Sequence, residues 1–193
     1  MNLRLARAAD IPALHALIAA SVEVLQARDY SDAQRAAALS TVFGVDTQLI
    51  ADGTYFVVEA RDTLVGCGGW SFRRTLHGSD HGAHRDDTQL DPARDAARIR
   101  AFFVDPAWAR RGIGSLILEA CEQAARRAGF ASLELAATLT GVALYRARGF
   151  SEIDRTEVPD ASERTQLKAL AALVGKQNAS LLMEVYPCNP CGS

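Results

Sequence analysis

No unbroken apolar run in this chain approaches the roughly 18 residues that a membrane-crossing helix needs, so no spanning segment and no membrane partner are expected. Neither sign of charge dominates: 21 Lys and Arg face 23 Asp and Glu, for a net charge of −2. That balance gives no electrostatic reason to expect nucleic acid or an anionic lipid surface as a partner. A secretory leader is not expected either. Asp10, Pro12 and His15 interrupt the apolar stretch that follows the mildly basic start. Cysteine is scarce, with 4 in the chain. Cys67 falls in an expected strand and Cys121 on an expected helix, both read as buried small apolar side chains. Cys188 and Cys191 form a lone C-x-x-C with no partner motif, read as part of a flexible tail over 188–193. A reducing, cytoplasmic setting is therefore expected. There are no repeats and no linker rich in Pro, Gly or Ser, and 193 residues suffice for one domain with a good core.

What is present alternates between strand and helix signals. Leu3 to Ala6 read as a first strand, and Asp10 with Pro12 as the start of a helix carrying Leu14, Leu17 and Ile18 on one face. Ser31 to Gln34 read as a capping box opening an alanine-rich second helix. Thr54–Ala60 and Leu64–Phe72 read as a strand pair turning at Arg61-Asp62. Gly66, Gly68 and Gly69 imply that something bends the second of these strands or approaches it closely. Residues 73–95 read as a long polar loop. Ala97–Val104 is a strand, and Ile113–Ala128 is a helix burying Ile113, Leu116, Ile117, Ala120 and Ala124 before Gly129. Ser132–Ala137 is a strand, Gly141–Arg148 a short helix, and Ser151–Val158 a strand. Residues 159–178 are expected to hold an extra helix, with Leu167, Leu170, Ala171 and Val174 on one face, before a last strand at Ser180–Tyr186. The class is α+β, in a single domain over 1–193.

The densest chemistry lies at 98–118, RIRAFFVDPAWARRGIGSLIL. A strand runs into an Asp-Pro turn, then a basic Gly-x-Gly loop, then an amphipathic helix. Backbone N–H groups at such a helix start point outward, and the helix dipole favours an anion. Arg110 and Arg111 add positive charge, and Gly112 and Gly114 allow close approach. The signature fits a phosphorylated ligand. It is not a dinucleotide fingerprint, because Ile117 stands where the third glycine belongs, and it lacks the Gly-Lys-Ser/Thr end of a P-loop.

The strand ending Val104-Asp105-Pro106, the loop Ala109–Ser115, a strand about twenty residues later and the segment Ala143–Phe150 (ALYRARGF) together resemble the GNAT N-acetyltransferase superfamily. The resemblance spans Leu3 to Ile153 and rests on the order and spacing of the two motifs. It implies a mixed, mostly antiparallel central sheet flanked by helices, with a splayed strand pair holding acyl-CoA. It implies acetyl-CoA as co-substrate and an amine, small-molecule or peptide, as acceptor, and a homodimer is compatible with it. The loop residues Ala109, Arg110, Arg111, Gly112, Ile113, Gly114 and Ser115 would then hold the diphosphate. Phe102, Phe103 and Val104 would offer a strand edge to the pantetheine amides, with a backbone N–H near Val104 as oxyanion donor. Tyr145, on its own a helix-face core aromatic, falls at the family's general-acid position, where a hydroxyl meets the leaving thiolate. Two departures stand out: Ala109 replaces the usual Arg or Gln, and the Asn often found near Thr140 or Gly141 is absent.

The expected reaction is direct attack of the amine on acetyl-CoA in a ternary complex, without an acyl-enzyme. A non-catalytic acyl-CoA sensor and an acetyltransferase acting on protein N-termini or lysines are the alternatives. Glu134, Asp105 and Glu59 are the carboxylates considered as general base, and none is singled out. His77, His81 and His84 have a spacing that suits a metal only if helical, and they read as part of a polar lid, so no metal is expected. Asp80, Asp86, Asp87, Asp91 and Asp95 would favour a cationic acceptor beside that loop, and Trp70 and Trp108 either line the site or pack.

Overall fold

The computed structural model describes residues 1–76, 79–80, 86–158 and 165–173. His77, His81 and His84, the strand expected at Ser180–Tyr186 and the tail with Cys188 and Cys191 lie outside the described residues. Seven strands form one sheet: β1 (Asn2–Leu5), β2 (Tyr55–Ala60), β3 (Thr63–Ser71), β4 (Ala97–Val104), β5 (Ser132–Thr138), β6 (Ser151–Val158) and β7 (Thr165–Leu173). Their spatial order is β1-β2-β3-β4-β5-β7-β6. Every neighbouring pair is antiparallel except β4 with β5.

Helices α1 (Ile11–Leu25), α2 (Asp32–Thr41), α3 (Thr47–Ala51), α4 (Ile113–Arg127) and α5 (Val142–Ala147) cover the sheet. One core face brings Ile113, Ile117, Leu118, Cys121 and Ala125 of α4 against Val58, Val65, Ile99, Leu133 and Leu135. The other brings Leu14, Leu17, Ile18 and Val22 of α1, with Leu49 of α3, against Tyr55, Val57, Cys67 and Phe103. The stretch Ala8–Leu25 is long and apolar enough by composition to cross a membrane. In this fold its apolar side is one wall of a core.

The capping box at Ser31 forms as expected: Ser31 Oγ accepts from the Gln34 N–H at 3.2 Å, and the Ser31 N–H donates to Gln34 Oε1 at 2.9 Å. The glycines of β3 mark close approach. A Cβ on Gly68 would come within 2.6 Å of the Phe102 ring, and one on Gly66 within 2.4 Å of Ile113 Cγ2. Removing those side chains lets α4 lie directly on the strand.

Two expectations need correction. Leu116 is 39% exposed, while Leu118, Cys121 and Ala125 are buried. Ile113 and Ile117 pack on the β3 glycines as part of both stripes, but the observed one continues through Leu118, Cys121 and Ala125 rather than Leu116, Ala120 and Ala124, a rotation of about one residue. The second correction concerns 159–178. Thr165–Leu173 is not a helix but the strand β7, inserted between β5 and β6. Alanine and leucine favour helix locally. Here β5 and β6 each present an unpaired edge, and β7 pairs with both along its length, from Ser132↔Leu173 on one side to Val158↔Thr165 on the other. Satisfying two rows of backbone groups outweighs a local preference of a few tenths of a kcal/mol per residue.

Candidate active site

Strands β4 and β5 start side by side and then part. They pair in parallel at Ala97↔Leu133, Arg98↔Glu134 and Ile99↔Leu135. Beyond that point β5 continues to pair with β7 through Thr138, while β4 turns away. A bulge causes the turn. On the β3 side, Gly69 pairs with Arg100 and Cys67 with Phe103, so Ala101 and Phe102 together oppose Gly68. Ala101 takes a positive φ of 55°, a conformation that costs a non-glycine residue energy and that the surrounding sheet imposes.

The gap is a cleft. Its sheet walls are Ile99 to Phe103 on β4 and Ala136 to Thr138 on β5, with Gly141 and Tyr145 closing one end. Gln26 after α1, Val42, Phe43 and Gly44 after α2, and Leu76 complete its lining. The connection from α1 to α2 is tied to the end of β5: Tyr30 Oη accepts the Leu139 N–H at 2.9 Å, and Thr140 Oγ1 donates to Asp29 Oδ2 at 2.6 Å.

Tyr145 sits on α5, with its ring edge-on to Phe102 at 6.1 Å and to Phe150 at 5.7 Å. Burial, with a smaller contribution from the nearby Cys121 thiol, pushes its phenol well above the ordinary value near 10. It is therefore a neutral O–H donor throughout the physiological range.

Beyond the cleft, β4 ends in a turn fixed by Asp105, whose Oδ1 accepts from the Ala107 N–H at 2.7 Å. The chain then passes through Arg110 (φ 62°) and Gly112 (φ 83°) into α4. Gly112 is the N-cap and has no side chain to satisfy the first turn, and a Cβ there would meet nothing within 4 Å. The first intrahelical bond runs from the Leu116 N–H to the Gly112 carbonyl, at 2.9 Å. The N–H groups of Ile113, Gly114 and Ser115 thus begin a helix of 15 residues whose dipole points at open space. Arg110 and Arg111 are exposed beside it, with Arg111 lying over the Trp108 ring at 5.0 Å. This arrangement fits a diphosphate. Gly114 has a different task, packing against Leu144.

Among the residues singled out from the sequence, Phe102, Phe103 and Tyr145 meet in the cleft, and the loop 109–115 lies past the end of β4 rather than in the cleft lining. Val104 falls just beyond it. Its N–H donates to Ser21 Oγ at 3.3 Å, so the oxyanion role expected there would require that bond to open. The three carboxylates considered as bases are engaged elsewhere: Glu134 with Arg98, Glu59 with Arg4, and Asp105 with the Ala107 N–H. The loop aspartates likewise hold their own chain. Asp80 accepts from the Thr47 N–H at 3.0 Å, Asp86 from Thr88 at 3.0 Å, Asp91 from Ala93 at 3.0 Å and Asp95 from Asp91 at 2.8 Å. Trp70 packs in the core against Phe72 and Phe130. No group of residues suited to a metal occurs among the described residues.

Sequence reasoning missed Arg100. Its guanidinium is 2% exposed and meets the wholly buried Asp46 carboxylate, Nη2 to Oδ2, at 2.9 Å. The available signal was Arg98 and Arg100 alternating in an otherwise apolar strand, which marks one polar strip on a buried surface. It also missed the apolar lining at Val42, Phe43 and Leu76, which has no local pattern of its own.

The model of the acetyltransferase (GNAT) family matches residues 19–150. A search of curated protein sequences found no match. Among solved structures, a GCN5-related N-acetyltransferase from Rhodopseudomonas palustris is 20% identical with a TM-score of 0.67, over 89% of this chain and 94% of that one. The PaiA N-acetyltransferase from Thermoplasma acidophilum, solved in complex with coenzyme A, is 14% identical with a TM-score of 0.61, over 89% and 98%. The ribosomal-protein-S18-alanine N-acetyltransferase from Escherichia coli is 17% identical with a TM-score of 0.57, over 93% and 97%. At these identities the structures establish a shared fold.

Proposed function

This chain belongs to the acetyltransferase (GNAT) family, and from that premise we propose that it transfers an acetyl group from acetyl-CoA to a primary amine by direct attack in a ternary complex. The observation that carries the reading is the parting of β4 from β5 after Ile99 and Leu135, with Tyr145 at one end of the gap and the Gly112 helix start beyond the end of β4. An extended amide chain can pair with the strand edge exposed at the parting. Its diphosphate would rest on the N–H groups of Ile113, Gly114 and Ser115, with Arg110 and Arg111 adding charge. Ala109 offers only its main chain, so this chain relies on backbone donors and the dipole at that position.

The chemistry balances simply. The amine nitrogen forms a bond to the thioester carbon, the carbon–sulfur bond breaks, and the amine gives up its extra proton to solvent. Tyr145 stands where the sulfur gains charge. Because its pKa is raised, complete proton transfer to a thiolate with a pKa near 8.5 is uphill. Its contribution is an O–H hydrogen bond that strengthens as the thiolate develops. No carboxylate lines the described cleft, so we assign deprotonation of the amine to water. Cys67 and Cys121 are buried free thiols, which supports the reading of a reducing, cytoplasmic setting.

The test is chromatographic detection of CoA released from acetyl-CoA across polyamines, aminoglycosides, amino acids, arylamines and short peptides, with Tyr145→Phe as control. Release that depends on one amine class and fades in the variant supports the reading. Folded protein that releases no CoA with any of them removes it in favour of acyl-CoA sensing.

A further inference from the structure

Part of the cleft lining comes from neither β4, β5 nor the Gly141–Tyr145 segment: Gln26, Val42, Phe43, Gly44 and Leu76. Of these, Gln26 alone carries a side-chain hydrogen-bonding group. It is 6% exposed. Its main chain is used within the last turn of α1: the N–H donates to the Val22 carbonyl at 3.4 Å, and its own carbonyl accepts from the Asp29 and Tyr30 N–H groups, each at 3.0 Å. Its carboxamide, by contrast, has no hydrogen-bond partner among the described residues. Neither carboxamide atom is sealed in the interior, so both reach the open space of the cleft. A largely buried amide left without a protein partner is an exception that calls for a reason. Water satisfies it while the cleft is empty, and a ligand that displaces that water must replace its bond.

The surroundings of that carboxamide define what fits. Val42, Phe43 and Leu76 supply apolar surface, and the Phe43 ring is held edge-on to Phe103 at 5.7 Å. The one charged residue of the described lining, Arg100, is buried and paired with Asp46. An acceptor with several ammonium groups would need a carboxylate for each on desolvation, and the described lining holds none. An apolar body carrying one amine needs a single polar contact, and Gln26 Oε1 accepts an N–H. Neutrality suits the task. A carboxylate in this place would favour the ammonium over the free amine, whereas a carboxamide does so far less. The proton that must leave before attack is therefore not held in the site.

We infer that the acceptor is a monoamine with an apolar body, and that Gln26 receives its nitrogen. This rests on the acetyl-transfer reading above, which gives the gap between β4 and β5 to acyl-CoA and leaves the Gln26, Phe43 and Leu76 part of the lining to the acceptor. The apolar body packs on Val42, Phe43 and Leu76, and the amine donates one N–H to Gln26 Oε1, which orients its lone pair. Gln26 takes no part in bond making.

The experiment compares isoamylamine and phenethylamine with spermidine, on the wild-type protein and on Gln26→Met, which keeps the volume and removes the hydrogen bond. CoA release by the wild type should give a higher kcat/KM for the better monoamine than for spermidine. In Gln26→Met that kcat/KM should fall about tenfold, the size of one hydrogen bond left unmade, while the dissociation constant for acetyl-CoA stays unchanged. The urea midpoint should not drop, because an amide without a protein partner has been replaced by an apolar group. A purely structural Gln26 would lower the midpoint instead, and that result overturns the inference. So does an unchanged kcat/KM, a weakened affinity for acetyl-CoA, or spermidine matching the monoamines. A second arm needs no turnover. Calorimetry on protein saturated with CoA measures binding of N-acetylphenethylamine and N-acetylisoamylamine, whose amide also pairs with a carboxamide. The wild type should bind at least one of them, and Gln26→Met should bind it about tenfold more weakly. No binding, or binding that ignores the substitution, overturns the inference even if some other amine is acetylated. Binding that depends on Gln26 without any acetylation upholds the assignment and counts against the transfer reaction alone.

Discussion

Gly114 lies so close to Leu144 that a Cβ on it would come within 2.8 Å of Leu144 Cδ2. Leu144 precedes Tyr145 on α5, and Gly114 is the second residue of α4. The helix start suited to a diphosphate and the side chain suited to the thioester are thus set against each other by one contact. The second glycine of the loop is needed for packing, whereas the first, Gly112, is needed for its positive φ.

Gly114→Ala should therefore destabilise the protein despite alanine's better helix propensity. Overpacking costs about 1–3 kcal/mol, against about 1 kcal/mol gained from propensity. The informative comparison is the double variant. In a Leu144→Ala background the same substitution should be neutral or stabilising, a coupling of about 1 kcal/mol. Urea unfolding of the four proteins measures it, and additive effects would show that the two helices do not constrain each other here.

Tyr145→Phe keeps the ring that packs on Phe102 and Phe150 and removes only the hydroxyl. Turnover should fall at least tenfold, about 1.4 kcal/mol of transition-state stabilisation, while the dissociation constant for acetyl-CoA stays nearly unchanged. Because burial raises the phenol, wild-type kcat should show no alkaline loss from this group below about pH 10. Unchanged turnover in the variant would reduce Tyr145 to a lining residue.

Much of this site is legible in the sequence because it is built from local signals. Val104-Asp105-Pro106, Gly112-Ile113-Gly114 and Tyr145 before Gly149 each sit within a strand end, a helix start or a short helix, and the elements fall where their patterns put them. What was not legible depends on distant partners. Thr165–Leu173 reads as helix until the edges of β5 and β6 are known. Arg100 has no partner in its own stretch of sequence, and only the fold brings Asp46, far away in the chain, to pair with it. The Val104 N–H reads as available until α1 delivers Ser21 to it.

Stability should decline on the alkaline side. Burial pushes the Cys67 thiol from 9.0 up to about 12, raises Cys121 well above its ordinary value, and moves the Tyr30 phenol from 10.0 to about 12. Each is a group whose folded pKa exceeds its unfolded one. The folded state holds the proton while the unfolded chain releases it, so the contribution is complete below about pH 9 and is lost as pH climbs toward 12. Unfolding free energy should be lower at pH 10 than at pH 8, and Cys67→Ala should flatten that dependence. An equal dependence in the variant would mean that the thiol is hydrated in the native protein.

The Arg100–Asp46 pair shows how little a buried ion pair need contribute to stability. Arg100→Met leaves the Asp46 carboxylate buried without its cation and should cost about 3–5 kcal/mol. Arg100→Met/Asp46→Leu removes both charges and replaces them with apolar volume, so most of that loss should return. Urea unfolding measures both steps. If the pair existed for stability, the double variant would remain as weak as the single one. If desolvation offsets the attraction between the two charges, the double variant unfolds nearly where the wild type does. A neutral apolar pair of similar volume would then serve this fold as well as the buried charges do.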